Sequence, residues 1–268
     1  TFGGPLRRDR SFLFSNYEGQ RVRKSMTQTF SVAPAAMRAG DFSGLPPLCD
    51  PLAPRAASGG CTPFPGNRIP AARIDRVAQA LLPLIPLPDS DGSVQNLRAV
   101  GNQRANMDQF SLRVDHRVAA GDQIYGRFTA YNVRDEQPFG SSALNETLVP
   151  GFGRNVETTS RNLAVGYSRP FGTTLFNELR IGLLDVGGGQ FSQHQGLDFA
   201  SAAGLQGVTR DPRDVGVPQV SFAGTFSTVG DPTSFTTRQN RSVELYENLL
   251  MERGRHTIKF GDRKSTRL

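Results

Sequence analysis

The chain of 268 residues has no tryptophan, two cysteines and three histidines. Each scarcity closes a class of explanation. Two cysteines without histidines nearby supply too few ligands for a structural zinc site. His116, His194 and His256 lie far apart, in different predicted elements. No paired-histidine motif, serine nucleophile elbow or phosphate-cradling loop occurs. Catalytic, cofactor-binding and metal-binding residues are therefore left unassigned, and neither enzyme activity nor a cofactor is expected. No run of about 18 apolar residues exists, which excludes a transmembrane helix. It does not exclude a membrane β-barrel, whose alternating strands leave a weak hydropathy signal.

A concentrated basic face is also missing. The net charge is +7, but the bases are spread singly, and only Arg7-Arg8-Asp9-Arg10 and Arg21-Val22-Arg23-Lys24 cluster. A nucleic-acid footprint needs a basic patch on one face, so no nucleic-acid partner is expected. Apolar residues make up 37% of the chain, below the roughly 45–50% of ordinary globular domains. Long segments of 3.6-residue period, which helical and βαβ folds require, are missing.

Strand periodicity is what the chain does have. In residues 108–133, Phe110, Leu112, Val114 and Val118 alternate with Ser111, Arg113, Asp115 and Arg117, the pattern of a strand with one apolar face. Ala119-Ala120-Gly121-Asp122 supplies a turn. The return strand sets Ile124, Gly126, Phe128 and Ala130 against Tyr125, Arg127, Thr129 and Tyr131. Similar pairs are expected at 160–169 with 174–186, around Pro170-Phe171-Gly172-Thr173, and at 242–252 with 255–260, around Arg253-Gly254. A turn at residues 7–10 leads to a first strand from Phe12 to about Lys24. Within the loop that follows, Ile74, Val77, Ala78, Leu81 and Leu82 have helical spacing, ended by Pro83.

Long loops are placed at about 25–106, 134–159 and 187–240, the last opening on Gly187-Gly188-Gly189, which reads as flexible. Strand, long loop, strand, short turn therefore repeats. Soluble sandwiches scatter long loops over both ends, whereas bacterial membrane barrels keep short turns at the periplasmic rim and long loops outside. The fold class expected is all-β: an antiparallel transmembrane β-barrel, incomplete, with long extracellular loops and short periplasmic turns. Phe12, Phe14, Tyr17, Phe110, Tyr125, Phe128, Tyr131 and Tyr167 lie in strands, as interfacial girdles require. The polar faces would line a wet lumen; on a soluble sheet they would be the solvated side.

Several ordered segments carry a family resemblance: Gly3-Gly4-Pro5-Leu6-Arg7-Arg8-Asp9-Arg10-Ser11-Phe12-Leu13-Phe14, then Arg38-Ala39-Gly40-Asp41-Phe42-Ser43-Gly44, then Pro63-Phe64-Pro65-Gly66-Asn67-Arg68-Ile69-Pro70. With Gly254-Arg255-His256-Thr257-Ile258-Lys259-Phe260-Gly261 near the end, these resemble Oar-like TonB-dependent outer-membrane receptors, which contain a carboxypeptidase-regulatory-like domain. The resemblance implies a large barrel with a plug, energised uptake of a solute not identified by the sequence, and an inner-membrane TonB-type partner. On that reading, residues 1–261 are a partial outer-membrane barrel lacking the plug, with the lipid bilayer as a partner, and more chain is expected before Thr1. Residues 262–268 resemble a translated sequencing-adapter end and are read as a non-native tail.

Two other functions stay open: an outer-membrane adhesion or surface-organising barrel without active uptake, and a soluble carbohydrate-binding β-sandwich. Cys49 and Cys61 fall in the first long loop, outside the cell in the barrel reading, where oxidising conditions permit a disulfide. Phe42, Phe64, Phe139, Phe152 and Phe222 lie in loops and are candidates to touch a solute, although local packing is the commoner role.

Overall fold

The structure, a computed structural model, describes residues 1–55, 59–140, 148–224, 226–232 and 236–267. Eight strands follow in order: β1 (Phe2–Arg7), β2 (Ser11–Phe30), β3 (Leu97–Arg117), β4 (Gln123–Gln137), β5 (Arg154–Phe171), β6 (Leu175–Ser192), β7 (Thr236–Arg253) and β8 (His256–Arg267). They form one sheet in sequence order, with every neighbouring pair antiparallel. β1 and β8 pair on one side only, so the sheet is open. Short connections at 8–10, 118–122, 172–174 and 254–255 all fall at one rim. The connections 31–96, 138–153 and 193–235 all fall at the other. Among the described residues no helix is long and apolar enough to cross a membrane.

The strands are longer than their alternation predicts. Residues 2–7 form a strand rather than an approach to a turn, paired from Phe2 with Ser15 to Arg7 with Ser11. β2 runs on to Phe30 and β3 starts at Leu97, so the loop expected at 25–106 is 31–96. Gly187, Gly188 and Gly189 are inside β6, paired on one side with Thr159, Thr158 and Glu157 and on the other with Gln239, Arg238 and Thr237. A run of glycines has no side chains to alternate and reads as loop, yet its backbone completes a ladder as well as any other. Pro170 and Phe171 likewise close β5, opposite Phe176 and Leu175. A one-turn helix α1 covers Ala35–Arg38, and the predicted helix is shorter: α2 covers Arg76–Leu81, with the Asp75 carboxylate accepting from the Val77 N–H, and Ala71–Arg73 forms a separate 3-10 turn.

Register gives the sheet two unlike faces. One carries cross-strand rows of Leu13, Val114, Gly126, Val165, Ile181 and Leu245, and of Ser15, Leu112, Phe128, Leu163, Leu183 and Val243. Among the described residues no second sheet covers this face, and Val114, Val165, Ile181, Leu183 and Leu245 are all exposed. Tyr17 and Phe110 bound the band on the long-loop side, and Tyr167 bounds it on the short-turn side, where its hydroxyl donates to Asp122 at 2.9 Å. An apolar band edged by aromatics at both margins is what a lipid-facing barrel wall presents. Phe12, Phe14, Tyr125 and Tyr131 fall on the opposite face and take no part in a girdle.

Beyond Arg117 the return to β4 is tight, whereas at the other rim the long connections pack together. Their core comprises Phe30, Val32, Leu97, Leu148, Val149, Phe152, Phe199, Ala203, Val217 and Val229. Buried apolar side chains thus gather in a crown above the sheet rather than between layers. Val77, Ala80 and Leu81, one face of α2, pack against this core. α3 (Phe199–Ala203) contributes Phe199, Ala200 and Ala203, capped by the Asp198 carboxylate accepting from the Ser201 N–H.

Residues 262–267, which read as a non-native tail in the sequence, extend β8 against β7 as far as Arg267 opposite Ser242. That register sets Lys264 beside Leu245, a charge in an apolar row, which is where the sequence alternation breaks. Leu268 lies outside the described residues.

Candidate functional site

The crown is assembled from short polar clamps. The segments 38–44 and 63–70 lie side by side. Asp41 bridges to Arg68 through the backbone, and their side chains form an ion pair at 2.9 Å. The Phe42 N–H donates to the Asn67 carbonyl at 3.1 Å, and the Ile69 N–H donates to Gly40 at 2.8 Å. Gly40 has φ +83°, and a Cβ there would lie 2.6 Å from the Ile69 carbonyl oxygen. Only glycine accepts both that conformation and that approach. The Asn67 amide donates to the carbonyls of Phe42, Leu45 and Pro46, and its oxygen accepts from the Leu48 N–H. These motif residues are scaffolding for the loop.

Around them the loop is tied at three further places. Cys49 and Cys61 are joined in the structure, their Cα atoms 5.6 Å apart. Next to Cys49, the Asp50 carboxylate accepts two hydrogen bonds from Arg73, and that guanidinium holds its pKa down at about 2. Arg73 also lies over the Phe64 ring at 4.9 Å. At the loop's base Asn96 is fully buried. Its oxygen accepts from the Val32 N–H, and its amide donates to the Val32 and Gly92 carbonyls.

Between these clamps lies a cavity of about 460 Å³. Val32, Met37 and Phe42 line it from the start of the loop, Ile69, Ile74, Ala78, Leu81 and Ile85 from its second half, and Val149, Val220, Phe222, Phe226 and Val229 from the other two loops. Its charged neighbours are engaged elsewhere. Arg38 donates to the carbonyls of Ala33, Ile85 and Pro86, and burial pushes its pKa down. Of the loop aromatics singled out from sequence, Phe42 and Phe222 reach this cavity. Phe64 and Phe152 are buried, and Phe139 packs on Phe30 with ring centroids 5.5 Å apart.

The polar face of the sheet is the second candidate surface. Arg113 pairs with Asp115 and lies over the Tyr125 ring at 4.6 Å; Arg180 pairs with Glu178 and lies over Tyr246 at 5.5 Å. Arg127 stands directly opposite Arg113. Between these groups Ala164 and Gly182 leave the wall low.

The histidines do not converge. His116 is the penultimate residue of β3 and shares a hydrogen bond with Ser11 at 2.8 Å, and His256 opens β8 beside a short turn. His194 Nδ1 meets Asp231 at 2.8 Å, and the second oxygen of that carboxylate accepts from the Val217 N–H. This pin fastens the third loop, and a separation of 37 positions between the two partners hides it from sequence reading. Among the described residues no three His, Cys, Asp or Glu side chains group as a metal site.

A family model described as an outer membrane beta barrel domain matches residues 1–263. No curated protein and no solved structure matches the chain.

Proposed function

Because this chain belongs to the outer membrane beta barrel domain family, and so takes its place in the outer membrane, we propose that it forms part of a TonB-dependent receptor of the Oar-like kind, taking up a solute with energy from an inner-membrane partner. The observation that carries this reading is the crown. Three long connections fold as one packed unit on a single rim, enclose a cavity, and stand over a strand face lined with arginine and tyrosine. A wall that only anchored the protein would not need a built cavity beside its mouth. Two of the segments that resemble such receptors, 38–44 and 63–70, are also ones that brace the crown.

The test is depletion of a defined mixture of small molecules by cells carrying or lacking the full-length gene. A compound removed only when the gene is present, and spared when a protonophore collapses the inner-membrane gradient, is the expected result. Depletion indifferent to the protonophore would remove the energised mechanism. Loss of surface attachment in the deletion strain, with no change in any compound, would favour the adhesion reading instead.

A further inference from the structure

We propose that the crown cavity is a binding site for a small, neutral, largely apolar molecule. This rests on the receptor reading and narrows the class of solute. Its volume of about 460 Å³ falls within the roughly 300–1,000 Å³ of small-molecule pockets. The walls come from all three long connections, so the space exists only when the crown is folded.

The chemistry of the lining decides the class. An anionic ligand needs a cation that turns its donors into the cavity, and both guanidiniums at this cavity have their terminal nitrogens bonded to loop oxygens. Arg38 is spent on the Ala33, Ile85 and Pro86 carbonyls, and Arg73 holds Asp50 in a forked pair. Among the described residues, the only hydroxyls at the lining are those of Ser31 and Ser227, and each oxygen already accepts one N–H, from Gln95 and from Ser31. A sugar would set its hydroxyls against Ile74, Leu81 and Val229 with no partners, at a cost per group that apolar contact does not recover. A hydrocarbon or aromatic ring meets no such penalty. At the edge, Phe222 is 41% exposed and meets Phe226 edge-on, centroids 6.0 Å apart and planes at 85°, an arrangement that offers a further ring an aromatic face.

The experiment uses the full-length protein in lipid nanodiscs, with protein-free nanodiscs subtracted to remove partition into lipid. Equilibrium dialysis compares naphthalene with 2-naphthoate, which has a similar ring but carries a charge. Saturable binding of naphthalene is expected, with 2-naphthoate at least tenfold weaker. Ala78→Phe, which fills the cavity from α2, is expected to weaken naphthalene at least tenfold. Phe222→Ala, at the exposed edge and harmless to the core, is expected to weaken it several-fold, and protease resistance reports whether each crown is folded. No saturable binding, equal binding of 2-naphthoate, or undiminished binding in folded variants would overturn the proposal. Naphthalene binding without protonophore-sensitive uptake would leave the cavity standing and remove the transport reading; uptake without binding would do the reverse.

Discussion

Ile181 and Gly182 are consecutive in β6 and point to opposite faces, so one substitution at each separates lipid from lumen. Ile181 is 43% exposed and stands in the row of Val165 and Leu245. It lies four residues from Asp185, whose row with Arg161 and Arg241 ends the apolar band. Four residues are about 13 Å along a strand, or about 10 Å in depth at a tilt of about 40°. Ile181→Arg therefore puts a guanidinium near the middle of the bilayer, where it costs about 2–4 kcal/mol, or roughly a hundredfold in the folding equilibrium at 3 kcal/mol. Gly182→Arg instead faces Glu244, and a Cβ at Gly182 would lie 3.8 Å from that residue's Cβ. An opposite-charge pair across a sheet changes stability by no more than about 1 kcal/mol. The assay is refolding of the full-length protein into liposomes over a urea series, read by heat-modifiable gel migration. Ile181→Arg should shift the midpoint strongly and Gly182→Arg hardly at all. Equal shifts would mean that the faces do not divide lipid from water, and the reverse order would mean that they were assigned backwards.

Two further outcomes test the crown. Asn96→Ala strips partners from the buried Val32 N–H and carbonyl, at about 1–3 kcal/mol for each group left unsatisfied; hydrogen exchange should quicken at Val149, Phe152 and Val229 while amides of Leu112 and Phe128 keep their protection. Replacing Cys49 and Cys61 together with serine should cost the crown about 3 kcal/mol in the chain-entropy account of a loop this short, seen as faster proteolysis between them, and mass spectrometry of the wild type should find no alkylated cysteine unless the protein is first reduced.

The alternation in 108–133 made the β3–β4 hairpin readable because its two faces meet different surroundings: Phe110, Leu112 and Val114 one way, Ser111, Arg113 and Asp115 the other. The same rule fails above the band. There both faces meet water, so Arg21, Arg23, Asn106 and Arg134 share what is lower down the apolar side, and no period of two survives for the eye to follow. That is why β2 was expected to stop near Lys24 and β3 to begin near Asn106. The crown was illegible for another reason. Phe30, Val149, Phe199 and Val229 are drawn together from four separate stretches, and only the chain's path brings them close.

The overshoot of the strands explains how a crown of loops can hold a formed cavity. β3 has 21 residues, about 70 Å of strand, whereas crossing a lipid-facing band about 25 Å tall at a tilt of about 40° takes about 33 Å of strand. Roughly half of it therefore stands outside the membrane. In that half, cross-strand ion pairs replace lipid contact on the former apolar face: Arg21 with Asp108, and Arg134 with Glu157 at 3.6 Å. The β2–β3 ladder does not end below the crown but inside it, since its last pair is Phe30 with Leu97, both members of the crown core. Asn96 then clamps Val32 just past that pair. The first long loop is thus continuous with the barrel wall through hydrogen bonds, without a hinge between them. Moving it as a body would require breaking ladder bonds whose groups are already paired, which costs more than rotating free backbone. The cavity walls supplied by this loop, such as Val32 and Ile85, are for that reason held in place by the ladder, and under the proposed binding the ordering cost is met by folding.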